Sequence, residues 1–261
     1  MTHYDTVPQW LQGQGVEIGA YKTPIPGIHP IYVDKFAEFA GEPCLADYFG
    51  ESISLPFFDA SLDFVASSHV LEHVANPVKA LVEWHRVLKP GGIANIVVPD
   101  KRFTWDRDRP LTQVRHMLDD YHQDVTDADA THIDDFIYGI AWQEIHAGLT
   151  PEEEAAQRDD HSQHYKKRVA RGEEINIHFH TFIPENVKEL LQTVSDAPDI
   201  PISWTLEVIE ERFPKTGPNG ILAILKKKPN RSPLASLRHR IRKMRRPSYP
   251  LTPNARPFPQ Q

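Results

Sequence analysis

Cysteine is almost missing from this chain. Cys44 is the single thiol in 261 residues, so no intrachain disulfide can form, and a reducing, cytoplasmic setting is the simplest reading. Long apolar runs are missing too. With a mean hydropathy of −0.47 and no stretch of membrane-spanning length, a transmembrane helix is not expected. The opening MTHYDTVPQW has no basic segment followed by an apolar one, so no secretory leader is expected either. The G-x-G-x-x-G fingerprint of NAD-dependent dehydrogenases is absent: the first predicted strand runs into Gly19-Ala20-Tyr21-Lys22. Acid is absent from the C-terminal end. From Lys226 onward there are eleven Lys and Arg and no Asp or Glu, which leaves −18 on residues 1–225 out of a formal total of −7. A body that acidic does not suit a nucleic-acid binder.

What is present suffices for a core: 40% of residues are hydrophobic and 25% charged. Short apolar runs at 15–20, 29–35, 42–48, 61–68 and 93–100 read as five strands, the second and third with acids near their ends. Between the fourth and fifth, Asn76 is a good N-cap and Pro77 suits the first helical position. Val78, Leu81, Val82 and Leu88 form one face, and Pro90-Gly91-Gly92 ends the helix. Residues 184–194 form an amphipathic helix, and 204–213 with 220–228 an antiparallel strand pair. Near-continuously apolar strands alternating with helices or short connections predict an α/β fold with a parallel sheet covered on both faces. Residues 101–180 differ in character, with few strand-like runs and eight of the fourteen histidines. Helices are expected there over 111–121, 134–148 and 151–172. An insertion after the fifth strand would lie above the carboxyl ends of the strands, where such sheets bind ligands, and cap the site.

A ribose-bearing cofactor needs an acceptor at the end of the second strand, where Asp34 stands. An adenine amino group needs one at the end of the third, where Asp47 stands, with Glu51 as the alternative. Glu17, Gly19 and Ala20 lie where the first strand meets its loop and backbone can approach a ligand closely. SSHVLEHV, residues 67–74, puts His69, Glu72 and His73 on one helical face, which could hold a metal, supply a base, or simply pack. In NIHFHTF, a strand would point His178 and His180 the same way, as bases near neutrality or as a solvent-facing pair. Arg107 and Arg109 suit an anionic or polyhydroxylated substrate or a salt-bridged loop. His116 and Asp120 are one turn apart and could face the same site. Residues 232–246 fit a basic amphipathic helix for an anionic membrane surface, such as the inner face of the cell membrane, for an acidic partner or for RNA; the alternative is a solvated tail.

VEIGA, SLPFFDASLDFVASSHVLEH and VLKPGGIANIVVPD, in that order, resemble the class I S-adenosylmethionine-dependent methyltransferases of the small-molecule type. VPDKRFTWDRDRPLT and NIHFHTFIPENVKELL look like an uncharacterised bacterial branch associated with glycan modification. The resemblance implies a Rossmann-like seven-stranded sheet closed by an antiparallel strand pair, with S-adenosylmethionine as cofactor. It implies cofactor contacts from Glu17, Gly19, Ala20, Asp34, Asp47, Ser67 and His69. The chain departs from the family at Gly19-Ala20-Tyr21-Lys22, where a G-x-G is usual. In ubiquinone-type O-methyltransferases a related E-x-x-E-H run is associated with a divalent metal; here His69 stands first, and no metal is assigned. Amino-methyltransferases of this fold tend to carry an Asn/Asp-Pro-Pro-aromatic run where this chain reads Ser67-Ser68-His69. Cytosine C5 chemistry needs a nucleophilic cysteine, which a strand-borne Cys44 does not supply.

The reading is therefore a methyltransferase domain over 1–228, with a helical cap inserted at 101–180 and a basic, Pro-rich tail at 229–261. The expected reaction is O-methylation of a small molecule or a carbohydrate or glycan acceptor. His73, His178 or His180 would be the base or orienting group, and Arg107, Arg109, His116 and Asp120 would face the acceptor. A catalytically inactive binding module and an RNA methyltransferase guided by the tail are the alternatives. Oligomeric state is not legible.

Overall fold

The computed structural model describes residues 7–228 apart from 40 and 216. The basic helix expected at 232–246 lies outside the described residues. Seven strands form one sheet: β1 (Gly15–Ile18), β2 (Ile31–Asp34), β3 (Tyr48–Phe49), β4 (Leu62–Ser68), β5 (Leu88–Pro99), β6 (Trp204–Phe213) and β7 (Gly220–Lys227). Their order is β3-β2-β1-β4-β5-β7-β6. All pairings through β5 are parallel, and β7 is antiparallel to both β5 and β6. The order reverses between β1 and β4, which opens a crevice at their carboxyl ends.

Helices α1 (Pro77–Val87) and α6 (Pro184–Asp196) cover one face. Asn76 caps α1, its Oδ1 accepting from Lys79 N at 3.0 Å, and Trp84 is fully buried with Nε1 donating to Ser52 O. Strand alternation sorts β5 between two cores: Ala94, Ile96 and Val98 face these helices, while Ile93 and Val97 face the other side. There the cover comes from the N-terminal segment, through Val7, Leu11, Ile25 and Ile28. Gly15 is required in β1 because a Cβ would lie 2.4 Å from the Phe64 ring.

Some expected boundaries shift. The third strand is two residues long, and Glu42–Pro43 instead pairs with Glu38–Phe39 in a separate ribbon. Helix α1 stops at Val87 and runs directly into β5, so Leu88 belongs to the strand and Pro90-Gly91-Gly92 lies within it, at a register shift.

The insertion carries α2 (Val114–Gln123), α3 (Ile133–Gly139), α4 (Trp142–Ile145) and α5 (Pro151–Ala170). The single helix expected over 134–148 is thus two, parted at residues 140–141, where Ala141 N donates to Trp105 O. The insertion has its own apolar core, with Ile133, Ile137, Trp142, Ile177 and Phe179 among its members. Among the described residues, no helix is long and apolar enough to cross a membrane.

Candidate functional site

A cavity of about 570 Å³ opens at the carboxyl ends of β1, β2 and β4 and is walled on the far side by Val125, Asp127, Ile175 and Asn176 of the insertion. Its floor begins at the β1 turn. Gly19 has φ +67°, and a Cβ there would meet Val70 Cγ2 at 2.5 Å, so both conformation and space require glycine. Glu17 is buried at the cavity wall. Its Oε1 accepts from Ile25 N at 2.9 Å, and Oε2 has no hydrogen-bond partner among the described residues. Burial pushes its carboxyl up to about 7, against the Ile25 hydrogen bond that lowers it. Asp34 ends β2, held by Phe36 N donating to Oδ1 at 2.9 Å, and its carboxyl is raised by burial. Ala20, Glu51 and His69 also line the cavity.

Two expected cofactor contacts are corrected. Asp47 does not line the cavity: its Oδ2 accepts from Tyr32 N at 2.9 Å, which stitches β2 to the segment before β3. Because β3 is short, the acid that reaches the site comes later, as Glu51. Ser67 is fully buried in β4 and off the cavity lining, while Ser68 is on it, as strand alternation requires.

His69, at φ +54°, turns the chain after β4, with its Nδ1 3.4 Å from Glu72 Oε1. Glu72 is fully buried, with neither oxygen hydrogen-bonded among the described residues. Burial acts to raise its carboxyl, yet His69, His73 and His178 together hold it below the usual range. His73 lines the cavity. Burial holds its imidazole low, with Glu72 opposing, so its neutral form is favoured. Behind it stands His178, edge-on at 4.6 Å between ring centroids, and His178 Nδ1 lies 2.5 Å from Asp106 Oδ2. Asp106 is held below the carboxylate range; burial acts upward, but His178 and Arg109 outweigh it. Ligand atoms of Glu72, His73 and His178 all lie within 4.8 Å of one another.

The expected pairing of His178 with His180 is also corrected. Residues 175–181 form no strand, so no pleat points alternate residues the same way. Phe179 N donates to Glu72 O, and Arg109 donates to His178 O. His180 turns to a second cluster with His116, Asp120 and His132, off the cavity lining. Its place as a base at the cavity, and those of His116 and Asp120 as acceptor contacts, are therefore corrected. Arg109 is fully buried, paired to Asp106 at 2.8 Å and Asp135 at 2.6 Å; it positions the His178 segment and is not on the cavity wall. Arg107 is exposed, paired with Glu144, and likewise off the lining.

Residues without a sequence signal complete the wall. Lys35, just after β2, pairs with Asp127 at 2.6 Å and Glu174 at 2.7 Å, fastening two parts of the insertion over the cavity. Asp106 has no motif to mark it; in WDRDRP it is one of several charges of both signs.

The S-adenosylmethionine implied by the sequence fits this cavity. It is cationic at its ammonium and sulfonium, and Glu17 presents a buried carboxylate oxygen with no donor among the described residues. Asp34 and Glu51 are acceptors suited to hydroxyl and amino groups. Asp34→Ala is expected to weaken S-adenosylhomocysteine by about 10- to 100-fold, the worth of a hydrogen bond to a charged group, read by titration calorimetry. The Glu17 carboxyl must ionise to meet a cation, so affinity falls by up to about tenfold per pH unit as pH drops below about 7. Calorimetry of wild type and Glu17→Gln on both sides of neutrality checks this: the wild-type slope is lost in the variant.

Comparisons with known proteins bear on the same region. A family model described as a methyltransferase domain matches residues 32–96. An uncharacterised 37.1 kDa protein in transposon TN4556 of Streptomyces fradiae is 33% identical over 103 residues, 36% of this chain and 29% of that one. A demethylmenaquinone methyltransferase of Staphylococcus epidermidis is 48% identical over 44 residues, 17% of this chain and 18% of that one. The chain spans under a third of the length of these curated relatives. Among solved structures, a SAM-dependent methyltransferase from Methanosarcina mazei aligns over 87% of this chain and 99% of its own, at 18% identity and a TM-score of 0.45. Residues 32–96 thus match a methyltransferase domain, and the strand order with its antiparallel β7 and the acid-lined cavity at the β1–β4 crevice accord with the sheet and the S-adenosylmethionine site that the sequence resemblance implies.

Proposed function

We propose that this chain methylates a hydroxyl group of a small molecule or carbohydrate, with residues 101–180 acting as a cap over the acceptor. The observation that carries the reading is the line His73–His178–Asp106, which begins at the cavity wall and ends in a buried carboxylate. When bound, S-adenosylmethionine supplies an electrophilic methyl carbon; Glu17, Asp34 and Glu51 are the residues to hold it. A hydroxyl acceptor must lose its proton as it attacks, so a neutral base is needed beside it. His73 is such a base. It takes the proton onto its imidazole, and the charge is met by Glu72, with His178 fixed behind it by Asp106. The Lys35 pairs hold Asp127 and Glu174 of the insertion at one wall of the site.

Val125 and Ile175 give the insertion wall an apolar part, while Asn176 and Asp127 offer hydrogen bonds, a mixture suited to a polyhydroxylated molecule with an apolar face. A second reading has Glu72, His73 and His178 hold a divalent cation that binds the acceptor oxygen. The two Glu72 oxygens, which accept no hydrogen bond among the described residues, favour it.

The test is methyl transfer from labelled S-adenosylmethionine to matched panels of sugars, phenols, amines and RNA, each with and without a chelator. Turnover on a hydroxyl panel supports the proposal, and its loss with the chelator selects the cation version. Turnover confined to amines or RNA overturns it. Binding of S-adenosylmethionine with no transfer to any panel points to the inactive module.

A further inference from the structure

Apart from the cofactor cavity, the insertion holds a cluster of three histidines and one aspartate, beside Ala75 and Asn76 of the body. We propose that His116, Asp120, His132 and His180 form a tetrahedral site for a divalent transition-metal ion, zinc by preference, that fastens three segments of the insertion to one another. His116 and Asp120 are one turn apart on α2, His132 immediately precedes α3, and His180 lies on the segment leading to α6. Three parts of the chain thus present ligand atoms within 4.8 Å of one another.

The geometry is close to that of an ion-filled shell. Asp120 Oδ2 lies 3.5 Å from His116 Nε2, 3.6 Å from His132 Nε2 and 3.6 Å from His180 Nε2, and the His116 and His132 Nε2 atoms are 2.9 Å apart. Zinc–ligand bonds of about 2.0–2.1 Å in a tetrahedron put ligand atoms about 3.3–3.4 Å apart. Small adjustments of these side chains, with the short edge opening and the longer ones closing, would make that shell.

The second observation is Asp120 itself. Its side chain is buried, and Oδ2, the atom facing all three imidazoles, has no hydrogen-bond partner among the described residues. A buried carboxylate oxygen without a donor is costly, and a cation at the centre removes that cost. His132 Nδ1 lies 2.9 Å from Thr131 Oγ1, a contact that orients its Nε2 inward, as the partners behind metal ligands do. His180 Nε2 also lies 3.2 Å from Ala75 O, a contact the ion replaces. His116 is 47% exposed at its side chain and gives the ion a path from solvent. Imidazole nitrogens with one carboxylate and no thiolate suit zinc or cobalt over magnesium or calcium.

The site is distinct from Glu72, His73 and His178, and the test keeps the two apart. Full-length, tag-free protein is stripped with a chelator and titrated with Co²⁺ and Zn²⁺, reading visible absorption, metal content and melting temperature. We expect a four-coordinate Co²⁺ spectrum, displaced by Zn²⁺, with a rise in melting temperature on metal addition. His132→Ala and Asp120→Asn should weaken this binding by at least about 100-fold, beyond the 10- to 100-fold typical of changes to the partners behind ligands. His116→Ala, at a half-exposed position that does not endanger folding, should weaken it by at least about 10-fold. Glu72→Gln should retain it. A wild-type chain with no four-coordinate spectrum overturns the proposal. So does a spectrum that persists at unchanged affinity in His116→Ala, or one lost in Glu72→Gln.

Discussion

With His73 as the proposed base, His73→Ala is expected to lower turnover on a hydroxyl acceptor by about 10²- to 10⁴-fold, the usual worth of a positioned base. S-adenosylhomocysteine affinity changes far less, because the acids at the β1 and β2 ends are untouched. That split separates a base from a cofactor contact, and single-turnover kinetics with calorimetry read both. The pH profile carries the same information. Burial holds His73 below its ordinary value, so it is neutral through neutrality and becomes protonated only on the acid side. The wild-type kcat is therefore flat above about 6.5 and falls as pH drops through the lowered pKa. In His73→Ala that acid limb disappears along with the rate. His178→Ala leaves His73 in place but removes the ring that buttresses it, so it loses less and keeps the limb.

Arg109→Met destabilises the fold by about 3–5 kcal/mol, the cost of removing one member of a buried ion pair. Arg109 is fully buried, and its loss strands Asp106, which is buried too, with His178 left to meet its charge. The carbonyl of His178 also loses its donor from this guanidinium. Methionine keeps much of the volume, so the effect is charge and hydrogen bonding more than cavity. Urea unfolding reads it. The double variant with Asp106→Asn recovers part of the loss, since the stranded charge is gone, and a double-mutant cycle measures how much. A change within the ±0.5 kcal/mol or so of an ordinary surface substitution would mean that Arg109 does not hold the His178 segment.

Much of the scaffold follows from local rules. The cap at Asn76-Pro77, the apolar strands other than the third, the acid at the end of β2 and the glycine after β1 are each set by a few neighbouring residues, and each stands near where expected. Where expectation and structure differ, the deciding contact is distant. Asp47 is taken by Tyr32 N across the β2–β3 edge. His178 and His180 part because no partner strand imposes a pleat on their segment, while Asp106 and the α2–α3 junction draw the two rings to different sites. Arg109 reads like a surface arginine in sequence; its pair with Asp106 is local, but its pair with Asp135 forms only when α3 packs beside it.

The class of the protein was already written in its linear order. Apolar strands, their terminal acids and the succession of motifs describe a cofactor-binding sheet, because burial and turn chemistry act over a few residues. Which histidine serves which site became visible only in three dimensions. His73 reaches the cavity, His178 supports it from behind, and His180 joins Asp120, His116 and His132 in a separate cluster. Those assignments depend on which side chains meet across the insertion, and that is fixed by packing between segments far apart in the chain, which no local pattern records.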